Sequence, residues 1–454
     1  MNIHPVLKEI ASLFGARGRQ VYLVGGMVRD LLRGQKAQDW DLATDARPGE
    51  VGAIFRESKP RGAVIPTGIK HGTVTVHYKN HSFEITTFRT ETGYSDGRRP
   101  DSVRYAASIE EDLARRDFTM NAVALRLPGA EIVDPFGGAA DIKRRIIRCV
   151  GNPLERFSED GLRPLRAARF VAQLDFEVEE LTRKAIPPSL PTSALVSAER
   201  IRDEIFKILA AAIPSRAFRL MEDTGLLKLI LPELAVCRGL EQKGSHRFDV
   251  LDHSFLACDY AAREQFPPEV RIAALLHDLG KALTVKVDDK GIRTFYHHEA
   301  ESTRLARGIL TRLRCPNALV DSVCHLIAEH MFHYEENWSD VAVRRFIIRA
   351  GTDCLENLYR LRRADAYATA GLEPPADFLL PLAERVDKVF AKRDALSLKN
   401  LAVSGKDLIA AGVKPGKHMG IILNELLETV LDDPAQNTRE KLLEIAGKIN
   451  KRYG

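Results

Sequence analysis

Hydrophobic and polar positions over the first 150 residues mix strand and helix patterns, and helical periodicity dominates the rest. "QVYLVGG" (20–26) is an apolar run closing on two glycines, which predicts a strand and a tight turn; "MVRDLLRG" (27–34) predicts the helix after it. "HGTVTVHY" (71–78) and "HSFEITTF" (81–88) alternate with period two on either side of Lys79-Asn80, the pattern of a β-hairpin. From about residue 151 strand signals almost vanish, and helical spacing dominates to the C-terminus. "GNPLERFSED" (151–160) reads as a junction, and "IPPSLPTSA" (186–194) and "LEPPADF" (372–378) as proline-rich breaks between helices. Leu423, Leu426, Leu427, Val430 and Leu431 follow helical spacing and are expected in a core. The predicted architecture is a small α/β head, 1–150, followed by an essentially all-α chain divided at 151–235, 236–350 and 351–454.

Composition narrows the class. At 454 residues, 45% hydrophobic and 28% charged, the chain has the profile of a globular protein of about two to four domains. No apolar run is long enough to span a bilayer, and the first residues lack a signal-peptide core, which points to the cytoplasm. The six cysteines include no C-x-x-C pair, against a structural zinc site or a disulfide framework. A formal charge of +5 hints only weakly at a polyanionic partner. "IKRRIIR" (142–148), Arg163/Arg166/Arg169 and "YRLRRAD" (359–365) are local basic clusters, each by itself consistent with a solvated surface.

Candidate chemistry concentrates in the first 170 residues. Gly25 and Gly26 stand between strand and helix, where backbone can approach a ligand closely and free N–H groups attract phosphate; Arg29 follows. A Gly-Gly pair alone is more often an ordinary turn. "QDWDLAT" (38–44) puts Asp39 and Asp41 on one face of a strand, a repulsive pair that a divalent cation would offset. Glu84, opposite in facing to Phe83 and Ile85, is a candidate third carboxylate or simply an exposed strand residue. "RRDFTMNA" (115–122) contributes Arg116 and Asp117, and Asp134 in "DPFGG" is expected to make a turn. In "SEDGLRPLRAARF" (158–170), Asp160, Arg163, Arg166 and Arg169 recur every three residues, a slanted stripe on a helix. An acceptor beside a guanidinium can complement a base edge, or be an exposed ion pair. Pro164 requires that the helix begin near Asp160 or bend there.

In order and spacing, "LVGGMVRDLLRG…DWDLAT", "FEITTFR", "RRDFTMNA", "DPFGGAADI", "EDGLRPLRAARF" and "ERIRDEIFKIL" resemble the class II tRNA nucleotidyltransferase and bacterial poly(A) polymerase family, over residues 21 to about 210. The resemblance implies an α/β nucleotidyltransferase head, a small mixed sheet with helices, followed by an all-α neck, body and tail. It implies a template-independent polymerase that extends an RNA 3′ end and releases pyrophosphate. Asp39 and Asp41 would hold Mg²⁺, with Glu84 near the 3′-hydroxyl and nucleotide contacts at Gly26, Arg29 and Arg116. Asp160 and Arg163 would form a side-chain template for CTP and ATP, with Arg166 and Arg169 touching the nucleotide or its phosphates. "VIPTGIKHGTVTV" (64–76) looks like the CCA-adding branch, because the poly(A) branch would carry a basic glycine-arginine stretch there. "TETGYSDGRRPDSV" (90–103) resembles the loop that A addition needs. Addition of CCA to tRNA is the leading expectation, with A addition or poly(A) synthesis as the alternative.

A second constellation lies downstream, in "LDHSF" (251–255), "LLHDLGK" (275–281), "YHHEAES" (296–302) and "IAEHM" (327–331). A lone histidine on an apolar face is usually a core residue. His277-Asp278 followed by Leu-Gly-Lys is more specific and resembles an HD-superfamily domain. That resemblance implies metal ligands at His253, His277 and Asp278, completed by His298, His330 and Asp340. Such a set suits Mn, Ni, Co or Fe better than Mg²⁺ alone, and a metal-bound hydroxide would cleave 2′,3′-cyclic or 2′-phosphates. A phosphohydrolase acting on RNA ends, with the head recruiting RNA, is therefore the rival expectation. An RNA-binding protein with inactive sites is a third, opposed by the unbroken carboxylate motifs. "KPGKHMG" (414–420) reads as a contact to tRNA backbone or as the turn that starts a helix.

Overall fold

The computed structural model describes residues 3–35, 40–66, 69, 72–92, 102–242, 247–392 and 396–453. Asp39 and residues 93–101, expected to supply a metal ligand and part of the A-addition loop, lie outside the described residues. The chain forms two compact units, Met1–Val236 with Arg312–Arg314, and Cys237–Thr311 with Cys315–Gly454.

The first unit is built on strands β1 (Val21–Val24), β2 (Trp40–Thr44), β3 (Ala63–Ile65), β4 (Thr73–Tyr78) and β5 (His81–Thr87). A separate hairpin follows, β6 (Arg89–Thr92) and β7 (Ser102–Tyr105), and then β8 (Ala124–Arg126) and β9 (Glu131–Val133). The main sheet has the order β3-β4-β5-β2-β1-β8-β9. β2 and β5 run parallel and the other neighbours antiparallel. The predicted β4–β5 hairpin is present, with Lys79 and Asn80 at φ 48° and 63°, the two positive angles that a tight two-residue turn needs.

Helix α1 (Pro5–Gly15) precedes the sheet, α2 (Gly26–Leu32) follows the glycine turn, and α3 (Pro48–Glu57) follows β2. Phe14 of α1 and Phe55 of α3 share a buried core with Leu23, Leu42, Phe83 and Ile85, the inward positions of β1, β2 and β5. Trp40 packs against that core, edge-on to Phe83. Strand alternation therefore turns Asp41 and Glu84 to the opposite face. There α4 (Ile109–Ala114) covers Tyr22, Val24 and Ala43. α5 (Gly138–Arg144) starts where Asp134 accepts from the N–H groups of Gly138 and Ala139, at 2.7 and 2.9 Å, the turn role expected of it.

Beyond the sheet come α6 (Pro153–Glu159), α7 (Arg163–Leu174), α8 (Glu180–Lys184), α9 (Ile186–Ser193) and α10 (Ala198–Leu209). The expected break at 186–194 is instead helix α9. Its first prolines occupy the first turn, whose N–H groups have no helical partner in any case, and only Pro191 lies inside. Two-residue ladders, Ile146–Ile147 with Glu177–Val178 and Lys286–Val287 with Arg293–Thr294, are further small departures from the helical expectation.

The second unit is otherwise helical among the described residues. The helices Val250–Arg263, Pro268–Leu276 and Leu355–Ala370 pack on one another. Near the C-terminus, the helices Lys417–Asp432 and Arg439–Tyr453 share a core of Ile422, Leu426, Val430 and Leu442. Leu423 and Leu427 pack against it, and Leu431 is buried, as their spacing predicts. No helix among the described residues is long and apolar enough to cross a membrane.

Candidate active site

Parallel register sets Asp41 of β2 directly beside Glu84 of β5. Paired strands lie about 4.8 Å apart, so the two carboxylates are neighbours on the face away from α1 and α3. The glycine turn closes over the same point. Gly25 has φ +69°, and a Cβ there would lie 3.0 Å from Arg116 Nη1 and 3.7 Å from Asp41 Oδ2. Arg29 is fixed by Asp30 at 3.0 and 2.9 Å and by Asn121 Oδ1 at 3.0 Å. Arg116 donates to the Asn121 carbonyl at 3.2 Å and to Asp112 at 3.3 Å. Burial would raise the Asp112 carboxyl, but the Arg115 and Arg116 guanidiniums hold it below its ordinary value.

Gly25, Gly26, Arg29, Asp41 and Arg116 form one side of a cavity of about 590 Å³. Asp160, Arg163, Arg166 and Arg169 form another, so nucleotide-binding positions nominated from distant segments share one space. Arginines far outnumber aspartates in its wall, the charge balance that a triphosphate needs. Glu84 is not part of that wall.

Asp160 and Arg163 do not share a helix, which shortens the expected stripe. Asp160 closes α6, α7 begins at Arg163, and Pro164 sits in the first turn without bending it. Gly161 makes the junction possible: a Cβ there would meet the Thr192 carbonyl oxygen at 2.3 Å. The Asp160 carboxylate accepts from the Leu162 N–H at 3.0 Å and from Arg200 Nη2 at 2.7 Å. Arg163 donates to the carbonyls of Arg156 and Arg115, at 2.8 and 3.1 Å, and to Glu159 at 2.5 Å. Arg166 forks onto Asp117 at 2.8 and 2.6 Å. Burial would raise the Asp117 carboxyl, yet Arg166, Asn121 and Arg163 hold it well below the usual carboxylate range. Arg169 pairs with the buried Glu204 at 2.5 Å and lies 3.9 Å over the Phe170 ring. Arg200 and Glu204 carried no assigned role in the sequence. The available signal was their (i, i+4) spacing in "ERIRDEIFKIL".

In the second unit, His253, His277, Asp278, His298 and His330 come together in a buried cluster. Asp278 Oδ2 lies 3.3 and 3.4 Å from Nε2 of His253 and His277, and its Oδ1 lies 3.2 and 3.9 Å from Nε2 of His298 and His330. Nδ1 of His277, His298 and His330 each faces a backbone carbonyl, at 3.0, 2.9 and 2.7 Å. A proton on each Nδ1 could be donated to that carbonyl, which would leave Nε2 facing the centre as metal-binding histidines require. Burial pushes the His330 imidazole down to about 3, so its ring is neutral at physiological pH.

Asp340 is not part of this cluster. It starts the helix Asp340–Ala350, on the surface, paired with Arg385 and Lys392. The sixth group is Asp365, whose Oδ1 lies 3.2 and 3.6 Å from Nε2 of His253 and His277 while its Oδ2 pairs with Arg362. Gly280 is needed for the close approach of "HDLGK" to the helix His298–Arg312, because a Cβ there would lie 2.2 Å from the His298 carbonyl oxygen. A cavity of about 710 Å³ opens onto the cluster beside Lys281, Arg293 and Tyr296.

Three family models match successive parts of the chain. They are the Poly A polymerase head domain at residues 21–148, the "Probable RNA and SrmB- binding site of polymerase A" at 175–237, and tRNA nucleotidyltransferase domain 2 at 292–446. A CCA-adding enzyme of Lactobacillus johnsonii is 48% identical over 49% of this chain and 53% of its own length. The CCA-adding enzyme of Limosilactobacillus reuteri is 35% identical over 98% of this chain and 96% of its own length. The crystal structure of the Bacillus stearothermophilus CCA-adding enzyme in complex with CTP superposes with a TM-score of 0.74 at 32% identity, covering 99% of each chain. On its near full-length identity, its three domain matches and its fold, this chain belongs to the CCA-adding enzyme and poly(A) polymerase family.

Proposed function

We propose that this protein builds and repairs the 3′-terminal CCA of tRNA from CTP and ATP, releasing pyrophosphate. What carries this reading is that a strand carboxylate suited to phosphoryl chemistry, Asp41, lines the same cavity as the base-complementary pair Asp160 and Arg163. Asp41 and its strand neighbour Glu84 offer hard oxygen donors without thiolate or imidazole, a set that fits Mg²⁺. Asp39 and Asp41 would hold the ion, which when bound supplies charge neutralisation and a more acidic 3′-hydroxyl. The 3′-oxygen bonds to the α-phosphorus as the bond to the α–β bridging oxygen breaks. Pyrophosphate leaves with that electron pair, and Glu84 takes the hydroxyl proton. Arg29 and Arg116 hold the triphosphate in line, while Arg166 and Arg169 offset its charge from the neck side. Asp160 accepts from the exocyclic amine of cytosine or adenine and Arg163 donates to the adjacent ring nitrogen, an order that uracil and guanine do not present. Asp41→Ala is expected to lower nucleotide incorporation by at least 10³-fold with an unchanged melting temperature. Near-normal incorporation would overturn the assignment.

A second activity is favoured by the convergence of His253, His277, Asp278, His298, His330 and Asp365 on one buried centre. The imidazole and carboxylate donors fit one or two ions of Mn, Ni, Co or Fe, whose bound water would be the nucleophile for hydrolysis of a phosphate ester. Metal analysis of purified protein is expected to find such an ion in the wild type and to lose it in His277→Ala/Asp278→Ala. Equal metal content in both would remove this reading.

A further inference from the structure

We infer that Arg200 is a positioning residue for base selection, one that fixes the direction of the Asp160 carboxylate. This deepens the reading of Asp160 and Arg163 as the template and rests on it. Asp160 lies at the frayed end of α6, where its backbone (φ −142°, ψ 108°) has left the helix. Two clamps hold its side chain: the Leu162 N–H takes Oδ1 at 3.0 Å, and Arg200 Nη2 takes Oδ2 at 2.7 Å. A carboxylate has about four acceptor positions, so both clamps leave capacity for a base amine.

Arg200 is suited to this in place and in support. It stands in the first turn of α10 and lines the cavity itself, with a side chain 28% exposed against 18% for Asp160. Four residues on, Glu204 holds Arg169, so one face of α10 steadies groups at both ends of the selecting wall.

The chemistry at Asp160 makes this clamp consequential. An ionised carboxylate only accepts hydrogen bonds, so it welcomes the amine of cytosine or adenine and repels O4 of uracil and O6 of guanine. A carboxylate rotated out of this direction would no longer meet the amine, and the preference for cytosine and adenine would fall. The Arg200 guanidinium opposes that rotation, because its charge-assisted hydrogen bond holds Oδ2 in one place.

The test measures kcat and KM for CTP and UTP on tRNA lacking CCA, and for ATP and GTP on tRNA ending in CC. It compares wild type, Arg200→Met, Arg200→Lys, Asp160→Ala and the double variant Arg200→Met/Asp160→Ala, each checked by thermal melting. Arg200→Met is expected to lower the CTP:UTP and ATP:GTP ratios of kcat/KM by about 10-fold or more, the scale of one charge-assisted hydrogen bond. Arg200→Lys, which keeps the positive charge, should restore most of the ratio. The double variant should discriminate no worse than Asp160→Ala alone, because the two residues act through one carboxylate. Discrimination lost in Asp160→Ala but kept in Arg200→Met, or a uniform fall for all four nucleotides, would overturn the role of Arg200 while leaving the template intact. Discrimination kept in Asp160→Ala would overturn the template reading itself.

Discussion

Asp117 ties the sheet-bearing head to the neck. It accepts from the Phe118 N–H at 2.8 Å, from Asn121 at 3.1 Å and from both arms of Arg166. Its carboxyl is held below the usual range in the folded protein, so its contribution to stability is full above the unfolded value of about 4 and is lost as pH falls through the folded one. Asp117→Asn is expected to cost about 2–3 kcal/mol at pH 7 in urea denaturation, with the difference from wild type shrinking below about pH 4. A difference independent of pH would show that the charge is not what matters there. The sequence displayed Asp117 only as a polar group beside apolar residues, since its partner lies 49 positions away.

At the scale of elements, the template is a junction between two short helices rather than a stripe on one. Gly161 allows it by running against the end of α9, and Gly161→Ala should cost about 1–3 kcal/mol and displace Asp160, lowering incorporation more than stability alone explains. Gly308, inside the helix His298–Arg312 with open space where a Cβ would go, is the contrast: Gly308→Ala should stabilise by up to about 1 kcal/mol. Urea denaturation of both variants separates the two cases.

Element by element, local chemistry was the legible part. The Lys79-Asn80 turn, the strand before Gly25 and the helix carrying Leu426 and Val430 all followed from spacing and turn residues. Helix α9 did not, because proline punctuates a sequence whether it starts a helix or ends one. Asp365 was hidden inside the basic run "YRLRRAD", although Leu358, Leu361, Ala364 and Ala368 around it mark the buried face of its helix. Asp340, which the resemblance implied instead, occupies an exposed helix start where Arg385 and Lys392 pair with it.

For the whole molecule, the two centres fall in different compact units and are built from different donors. Chelation with a strong transition-metal ligand, followed by return of Mg²⁺ alone, should leave nucleotide transfer intact and abolish phosphate-ester hydrolysis; loss of both would tie the chemistries to one metal. The central claim is that one cavity both transfers nucleotides and chooses them without a nucleic-acid template. It is tested most directly by giving the wild-type protein tRNA that ends before CCA, after C or after CC, with all four nucleotides and Mg²⁺, and sequencing the product ends. The predicted result is that every substrate is completed to CCA and goes no further. Extension of only the CC-ended tRNA, a run of A residues, or entry of U or G would contradict it.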